Sequence, residues 1–149
     1  MITYNDAKDK PETFRALTGL DKAEFEELLI AFETAYLRDV EEKIAKNLER
    51  KRKPGGGRKA CLSSMEDQLF FILFYFKNYP LQDVIGFLFG LSQSQANDWY
   101  HRLTAVLTNA LKEGDYLPER GPEHLQEVLS NSSTQEFAID GTERRRQRP

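Results

Sequence analysis

The sequence has very few residues suited to disulfide or zinc chemistry. It contains one cysteine, Cys61, and two histidines in 149 residues. A single thiol cannot form an internal disulfide, and no second thiol is present to complete a metal-binding pair. We expect Cys61 to behave as a small buried hydrophobic residue. The sequence therefore predicts neither redox nor zinc chemistry.

Long hydrophobic runs are also absent. The longest strongly apolar run covers residues 69–76, whereas a transmembrane helix needs about 20 apolar residues. The opening MITYN is not typical of a signal peptide. These absences predict a soluble, intracellular protein without a membrane partner.

The basic residues are unevenly distributed along the chain. The net charge is only -3, yet residues 50–59 carry six basic side chains and no acidic one, and residues 144–148 carry four arginines. Such clusters are typical of polyanion-binding proteins, and the alternative is a linker kept soluble by its charge. The candidate phosphate-contacting residues of the first cluster are Arg50, Lys51, Arg52, Lys53, Arg58 and Lys59.

Helix signals dominate the first half of the chain. Pro11 can begin a short helix that Gly19 ends. The sequence DKAE at residues 21–24 forms a capping box that opens a long helix. Its later apolar positions recur every four residues, which predicts a bend near residues 38–39 or different partners for its two ends, and not a coiled coil. Pro54 and the three glycines after it must end this helix.

A second capping box, SSME at residues 63–66, opens a helix that is apolar on every side. Such a helix is expected in the middle of a bundle. Asn78-Tyr79-Pro80 breaks it, and a short helix at residues 81–89 follows. We expect that helix to bury one face carrying Val84, Ile85 and Leu88.

The next segment has the pattern of a helix-turn-helix. Gly90 can adopt the left-handed conformation that ends a helix, Leu91 can fill the core beneath the turn, and SQSQ at residues 92–95 is a capping box. A helix, a three-residue turn and a further helix make up the motif. The inward side of the second helix is predicted to carry Ala96, Trp99, Leu103 and Val106.

Polar residues occupy the predicted outer surface of that second helix. Asparagine and glutamine can pair with adenine and arginine with guanine, and the first turn of a recognition helix normally reaches the base edges. Asp98 on the same surface argues against indiscriminate phosphate binding. The alternative interpretation is an ordinary helical hairpin with a polar outer face. The candidate DNA-contacting residues are Gln93, Ser94, Gln95, Asn97, His101 and Arg102.

The composition changes after residue 113. Pro118, Gly121 and Pro122 are typical of an interdomain linker, with a short helix predicted at residues 123–129 and a polar tract at residues 130–134. Residues 135–139 suit a buried strand. The following Asp140-Gly141 is a hairpin turn signal, with a catalytic carboxylate as the alternative.

In this order, the leader helices, GGGRK, LSQSQANDW and EFAIDGTERRRQRP resemble the N-terminal part of a bacterial insertion-sequence transposase of the DDE class. The resemblance implies a mainly α fold, a helical bundle containing a helix-turn-helix, followed by a C-terminal stub of an α/β RNase H-like domain. The expected segments are a helical region at 1–53, a basic linker at 54–62, a helix-turn-helix domain at 63–113, an interdomain linker at 114–134 and the start of the catalytic domain at 135–149.

The resemblance also implies a function. In these enzymes three carboxylates hold two divalent metal ions that activate the attacking oxygen and stabilise the leaving one. Asp140 matches the first carboxylate, and the second aspartate and the final glutamate have no match in this sequence. We expect sequence-specific binding to the terminal inverted repeats of a mobile element, with no cofactor and no catalysis for the isolated chain. Mg2+ or Mn2+ is expected only for a complete enzyme, with Asp140 as a ligand if complemented.

On this interpretation the chain is the first reading frame of a split transposase gene or a truncated copy. Its expected partners are double-stranded DNA, a second chain carrying the rest of the DDE domain, and a second copy of itself, in the cytoplasm and associated with the nucleoid. Two alternatives remain open. One is a complementing half of an active DDE transposase, and the other is a helical protein-interaction module that does not bind DNA.

Overall fold

The computed structural model describes residues 1–46, 61–114, 116, 117 and 130. Six helices lie within these residues, and they confirm the predicted mainly α fold. None of the described helices is long and apolar enough to cross a membrane. The predicted helix at 123–129 and the predicted catalytic stub lie outside the described residues. The helices are α1 Tyr4–Ala7, α2 Pro11–Thr18, α3 Lys22–Lys46, α4 Met65–Asn78, α5 Gln82–Phe89 and α6 Gln93–Glu113.

All six helices belong to one compact unit, Met1–Leu117. Helix α2 begins and ends, and helix α3 begins, where the sequence signals predicted. Proline occupies the first turn of α2, and Gly19 ends that helix with φ 82°. At the start of α3, the backbone N–H of Glu24 donates to Asp21 Oδ1 over 2.9 Å, and that of Asp21 donates to Glu24 Oε2 over 2.8 Å.

Helix α3 is continuous through residues 38–39. Its first half buries Phe25, Leu28, Phe32 and Ala35, whereas every side chain at positions 41–45 is exposed. The two halves of α3 therefore have different surroundings: the first packs into the core and the last described turns face solvent.

Helix α4 lies in the middle of the bundle, as its apolar sequence predicted, and packs against α1, α2, α3 and α6. Its N-cap is Ser64 and not Ser63, so the predicted capping box is one residue out of register. The Ser64 hydroxyl accepts from the backbone N–H of Asp67 over 3.1 Å. The Asp67 carboxylate in turn accepts from the backbone N–H of Tyr4 over 2.9 Å, which ties α1 to α4.

A connected set of phenyl rings joins the N-terminal helices to the helix-turn-helix. The ring of Phe14 in α2 lies 5.2 Å from Phe25 in α3 and 6.1 Å from Phe70 in α4. Phe89 of α5 packs edge-on against Phe71 at 5.0 Å, and it also contacts Phe70 and Phe74. Because these rings are buried, residues 1–46 and 61–114 share one hydrophobic core.

Two predictions about individual side chains are wrong. Val84 is 47% exposed, because Ile85 and Phe89 turn α5 toward the core and leave Val84 on the outside. Cys61 is exposed, because the next residue, Leu62, occupies the core position. The backbone carbonyl of Leu62 accepts a hydrogen bond from the Gln68 side chain over 3.1 Å, and this bond holds Leu62 against the first turns of α4.

Candidate nucleic-acid interface

The turn between α5 and α6 is built as the sequence predicted. Gly90 ends α5 in the left-handed conformation with φ 68°, where a side chain would be strained. The backbone N–H of Leu91 donates to the Gly86 carbonyl over 2.8 Å, and the Leu91 side chain is buried. This closed turn fixes the direction in which α6 leaves α5.

Gly86 also shapes this turn, although it is not among the residues predicted from the sequence. A Cβ atom at this position would lie 2.8 Å from the Leu91 carbonyl oxygen. The backbone of the turn therefore approaches α5 at a distance that only glycine permits. The available signal was a glycine inside a helical pattern, which often marks a close packing contact.

Ser92 and Gln95 form the capping box at the start of α6. The Ser92 hydroxyl accepts from the backbone N–H of Gln95 over 3.3 Å, and the Gln95 side-chain oxygen accepts from the backbone N–H of Ser92 over 3.0 Å. Gln95 was predicted to contact DNA. In this structure its side-chain oxygen is engaged in holding the first turn of α6.

The two sides of α6 differ in chemistry. Ala96, Leu103 and Val106 are buried, and Trp99 is only partly buried, so three of the four predicted inward residues lie in the core. Residues advance by about 100° each along a helix, so the opposite side carries a different set. The exposed residues there are Ser94, Asp98, His101 and Ala105, with Gln93 exposed at the first position.

Asn97 lies at the border between α6 and α5. Its side-chain oxygen accepts from the Gln82 side chain over 2.8 Å, and the residue is half-buried. This bond leaves the Asn97 amide N–H groups as donors at the edge of the exposed face. Asn97 therefore both joins the two helices and borders the candidate interface.

Arg102 points away from the exposed face, toward α3. Its guanidinium carbon lies 4.6 Å from the Tyr36 ring centre and 5.6 Å from the Trp99 ring centre. Its Nε is buried and lies 3.8 Å from Asp39 Oδ2, which is an ion-pair distance rather than a hydrogen bond. The structure thus places Arg102 in the packing between α6 and α3.

Helices α3 and α6 run antiparallel. Tyr116, just beyond α6, donates a hydrogen bond to Glu27 near the start of α3, and this bond raises the pKa of Tyr116. Arg102 meets Asp39 much further along α3. The C-terminal end of α3 therefore lies toward the same end of the bundle as the first turn of α6.

One of the described residues that flank the basic cluster contacts the helix-turn-helix. The cluster, with Arg50, Lys51, Arg52, Lys53, Arg58 and Lys59, lies outside the described residues. On its C-terminal side, the Cys61 thiol lies 3.5 Å from the Gly90 carbonyl in the turn. On its N-terminal side, α3 ends toward the first turn of α6. The described residue Cys61, shortly after the cluster, thus contacts the turn of the helix-turn-helix.

Metal ligation was predicted only for Asp140, which lies outside the described residues. Among the residues that the structure describes, no group of three histidine, cysteine, aspartate or glutamate side chains is arranged to hold a metal ion.

Residues 60–113 match a protein family described as the helix-turn-helix of DDE superfamily endonuclease. The match covers α4, α5 and α6, about a third of the chain. Residues 60–113 are therefore similar to a transposase-type helix-turn-helix. The match confirms the resemblance to the N-terminal part of a DDE transposase, and it favours DNA binding, the usual function of this motif. No curated protein and no solved structure matches the chain.

Proposed function

We propose that this protein binds duplex DNA sequence-specifically at the terminal inverted repeats of a mobile element. The observation that supports this most is the exposed polar face of α6. It lies at the end of a closed helix-turn-helix within the segment that matches the DDE superfamily endonuclease motif. In this motif the second helix enters the major groove with its N-terminal residues against the base edges.

The contacts fall into two groups in this proposal. Gln93, Ser94 and His101 face solvent on α6 and contact base edges, with the Asn97 amide donors beside them. Gln95 and Arg102 act indirectly, because the first caps α6 and the second packs it against α3. The phosphate contacts come from the basic cluster, Arg50, Lys51, Arg52, Lys53, Arg58 and Lys59, which is followed closely by Cys61 at the turn.

The proposed role is recognition and not cleavage by this sequence alone. Two-metal cleavage of a phosphodiester needs several carboxylates around the metal pair, and Asp140 is the one residue that the family resemblance assigns to that set. Activity would require further carboxylates beside Asp140, in the presence of Mg2+ or Mn2+. We therefore expect purified protein not to nick element-end DNA with either metal.

The first experiment measures binding to a fluorescent duplex carrying one end of the mobile element, with a scrambled duplex of the same composition as the control. Titrations at several salt concentrations should show the binding constant falling steeply, with a slope of about 0.9 in log salt for each phosphate contact. The element-end duplex should bind more tightly than the scrambled one. Absence of binding to both duplexes at low salt would refute the proposal.

Two variants separate phosphate contacts from base contacts. Replacing Arg50, Lys51, Arg52 and Lys53 together by alanine should weaken binding to both duplexes alike and reduce the salt slope. His101→Ala should weaken the binding free energy for the element-end duplex by roughly 1–3 kcal/mol and should change that for the scrambled duplex little. If His101→Ala weakens binding to both duplexes equally, α6 does not contact the bases as proposed.

A further inference from the structure

Asp98 is an acidic residue on the face of α6 that should approach DNA. It lies between Ser94 and His101 on the side of the helix opposite the buried residues, and it is exposed. Its carboxylate makes no hydrogen bond or ion pair with any other residue in the part of the chain that the structure describes. A free negative charge here requires an explanation, because the DNA backbone is itself anionic.

The natural partner of Asp98 is engaged elsewhere. Arg102 follows Asp98 by four residues, a spacing at which aspartate and arginine commonly pair on a helix surface. Instead, the Arg102 guanidinium lies over the Tyr36 ring, and its Nε lies 3.8 Å from Asp39. Helix α3 thus engages the Arg102 guanidinium, and no ion pair joins Arg102 to Asp98 among the described residues.

An ionised carboxylate in the major groove can only accept hydrogen bonds. Guanine presents two acceptors there, thymine presents an acceptor and a methyl group, and adenine presents its amino group beside the N7 acceptor. Cytosine presents the N4 amino group, and its own major-groove edge carries no acceptor. Cytosine is therefore the base whose edge best complements a free aspartate.

We propose that Asp98 is a specificity-determining residue that selects cytosine at one base pair of the DNA site. It favours cytosine by accepting from the N4 amino group, and it disfavours the other bases because their acceptors face a negative charge. Discrimination by repulsion as well as attraction is a general route to specificity. This inference rests on the proposed function, since it requires α6 to enter the major groove.

The test begins with the 149-residue protein and a library of duplexes with a randomised central stretch. Repeated selection identifies the preferred site. Anisotropy titrations at one fixed salt concentration then compare that site with the three duplexes that differ at each base pair in turn. The wild-type protein should prefer cytosine over the other bases at one position by about tenfold, within the range for one specific base contact.

Three variants are carried through the same selection and titrations. Asp98→Ala should reduce the cytosine preference to about twofold or less, and it should bind the three disfavoured duplexes as tightly as wild type or more tightly, because a repulsive charge is gone. Asp98→Asn should shift the preferred base toward adenine, which an amide can pair with at N6 and N7. Glu12→Gln removes one exposed negative charge from α2, outside the helix-turn-helix, and should leave the preference unchanged.

The outcomes are distinguishable. If wild-type protein enriches no sequence, the proposed function fails and this inference fails with it. If a sequence is enriched but the Asp98→Ala protein keeps every base preference, only the role of Asp98 is overturned. The same holds if Asp98→Ala lowers the binding affinity for all four duplexes by the same factor. Loss of preference at a single cytosine, with the other positions retained, supports the inference. Circular dichroism of each variant confirms that the helices are retained.

Discussion

Gly86→Ala tests the close approach between α5 and the turn that orients α6. In an exposed helix interior, alanine is more favourable than glycine by about 1 kcal/mol. On helix propensity alone, the substitution should therefore stabilise the protein. The structure predicts the opposite sign, because the added Cβ would lie 2.8 Å from the Leu91 carbonyl oxygen.

The magnitude follows from the displacement required. Ordinary contacts of a Cβ atom begin at 3.4 Å, so the turn must move by about 0.6 Å. The displaced oxygen belongs to the backbone of a residue whose own N–H is bonded to the Gly86 carbonyl over 2.8 Å, so the turn cannot simply rotate away. Overpacking costs about 1–3 kcal/mol. Taking the upper half of that range and subtracting the propensity gain leaves a net loss of about 1–2 kcal/mol.

Urea unfolding and thermal unfolding, both followed by far-ultraviolet circular dichroism, measure this change. A loss of 1–2 kcal/mol should lower the midpoint of thermal unfolding by about 4–8 °C for a unit of this size. Ala105→Gly on the exposed face of α6 serves as the propensity control and should cost about 1 kcal/mol. A Gly86→Ala protein that is more stable than wild type would contradict the close approach.

Two further predictions concern the core and the end of α4. Phe89→Ala removes a ring packed against three others and should lower the free energy of unfolding by about 3–5 kcal/mol. Phe87 is 85% exposed, so Phe87→Ala should change the free energy of unfolding by less than about 0.5 kcal/mol. Similar losses for the two variants would contradict the observed orientation of α5, in which Phe89 faces the core and Phe87 faces solvent. Tyr79 ends α4 with φ 45°, a conformation that costs a non-glycine residue about 1–2 kcal/mol. Tyr79→Gly should therefore raise the urea midpoint, and a lower midpoint would show that the tyrosine ring stabilises the fold by more than its backbone strain costs.

Local sequence signals located most of the described helices. The capping residues at the starts of α3 and α6 and the glycines that end α2 and α5 act through bonds within a few residues, so their effect is visible in the sequence. The helix-turn-helix was predicted for the same reason. The inward side of α6 followed from helical periodicity, although Trp99 is only partly buried.

The errors arose where several neighbouring residues could fill one structural position. Ser63 and Ser64 both suit an N-cap, and Cys61 and Leu62 both suit a core position. Periodicity alone also allowed Val84 to face the core. In each case the choice depends on what packs against the segment, such as the bond from Tyr4 to Asp67 or the ring of Phe89 among three others.

Some features of the candidate interface follow from local sequence signals, and others depend on tertiary packing. Capping, turn geometry and periodicity are local, so the order of amino acids was enough to predict a helix-turn-helix and the polar residues of its second helix. The contacts that these residues make depend on packing between helices that are distant in the sequence. Helix α3 draws Arg102 onto Tyr36 and Asp39, and Gln82 engages Asn97. Asp98 is left free on the exposed face, because the side chain that would pair with it is held by a helix more than fifty residues earlier in the chain.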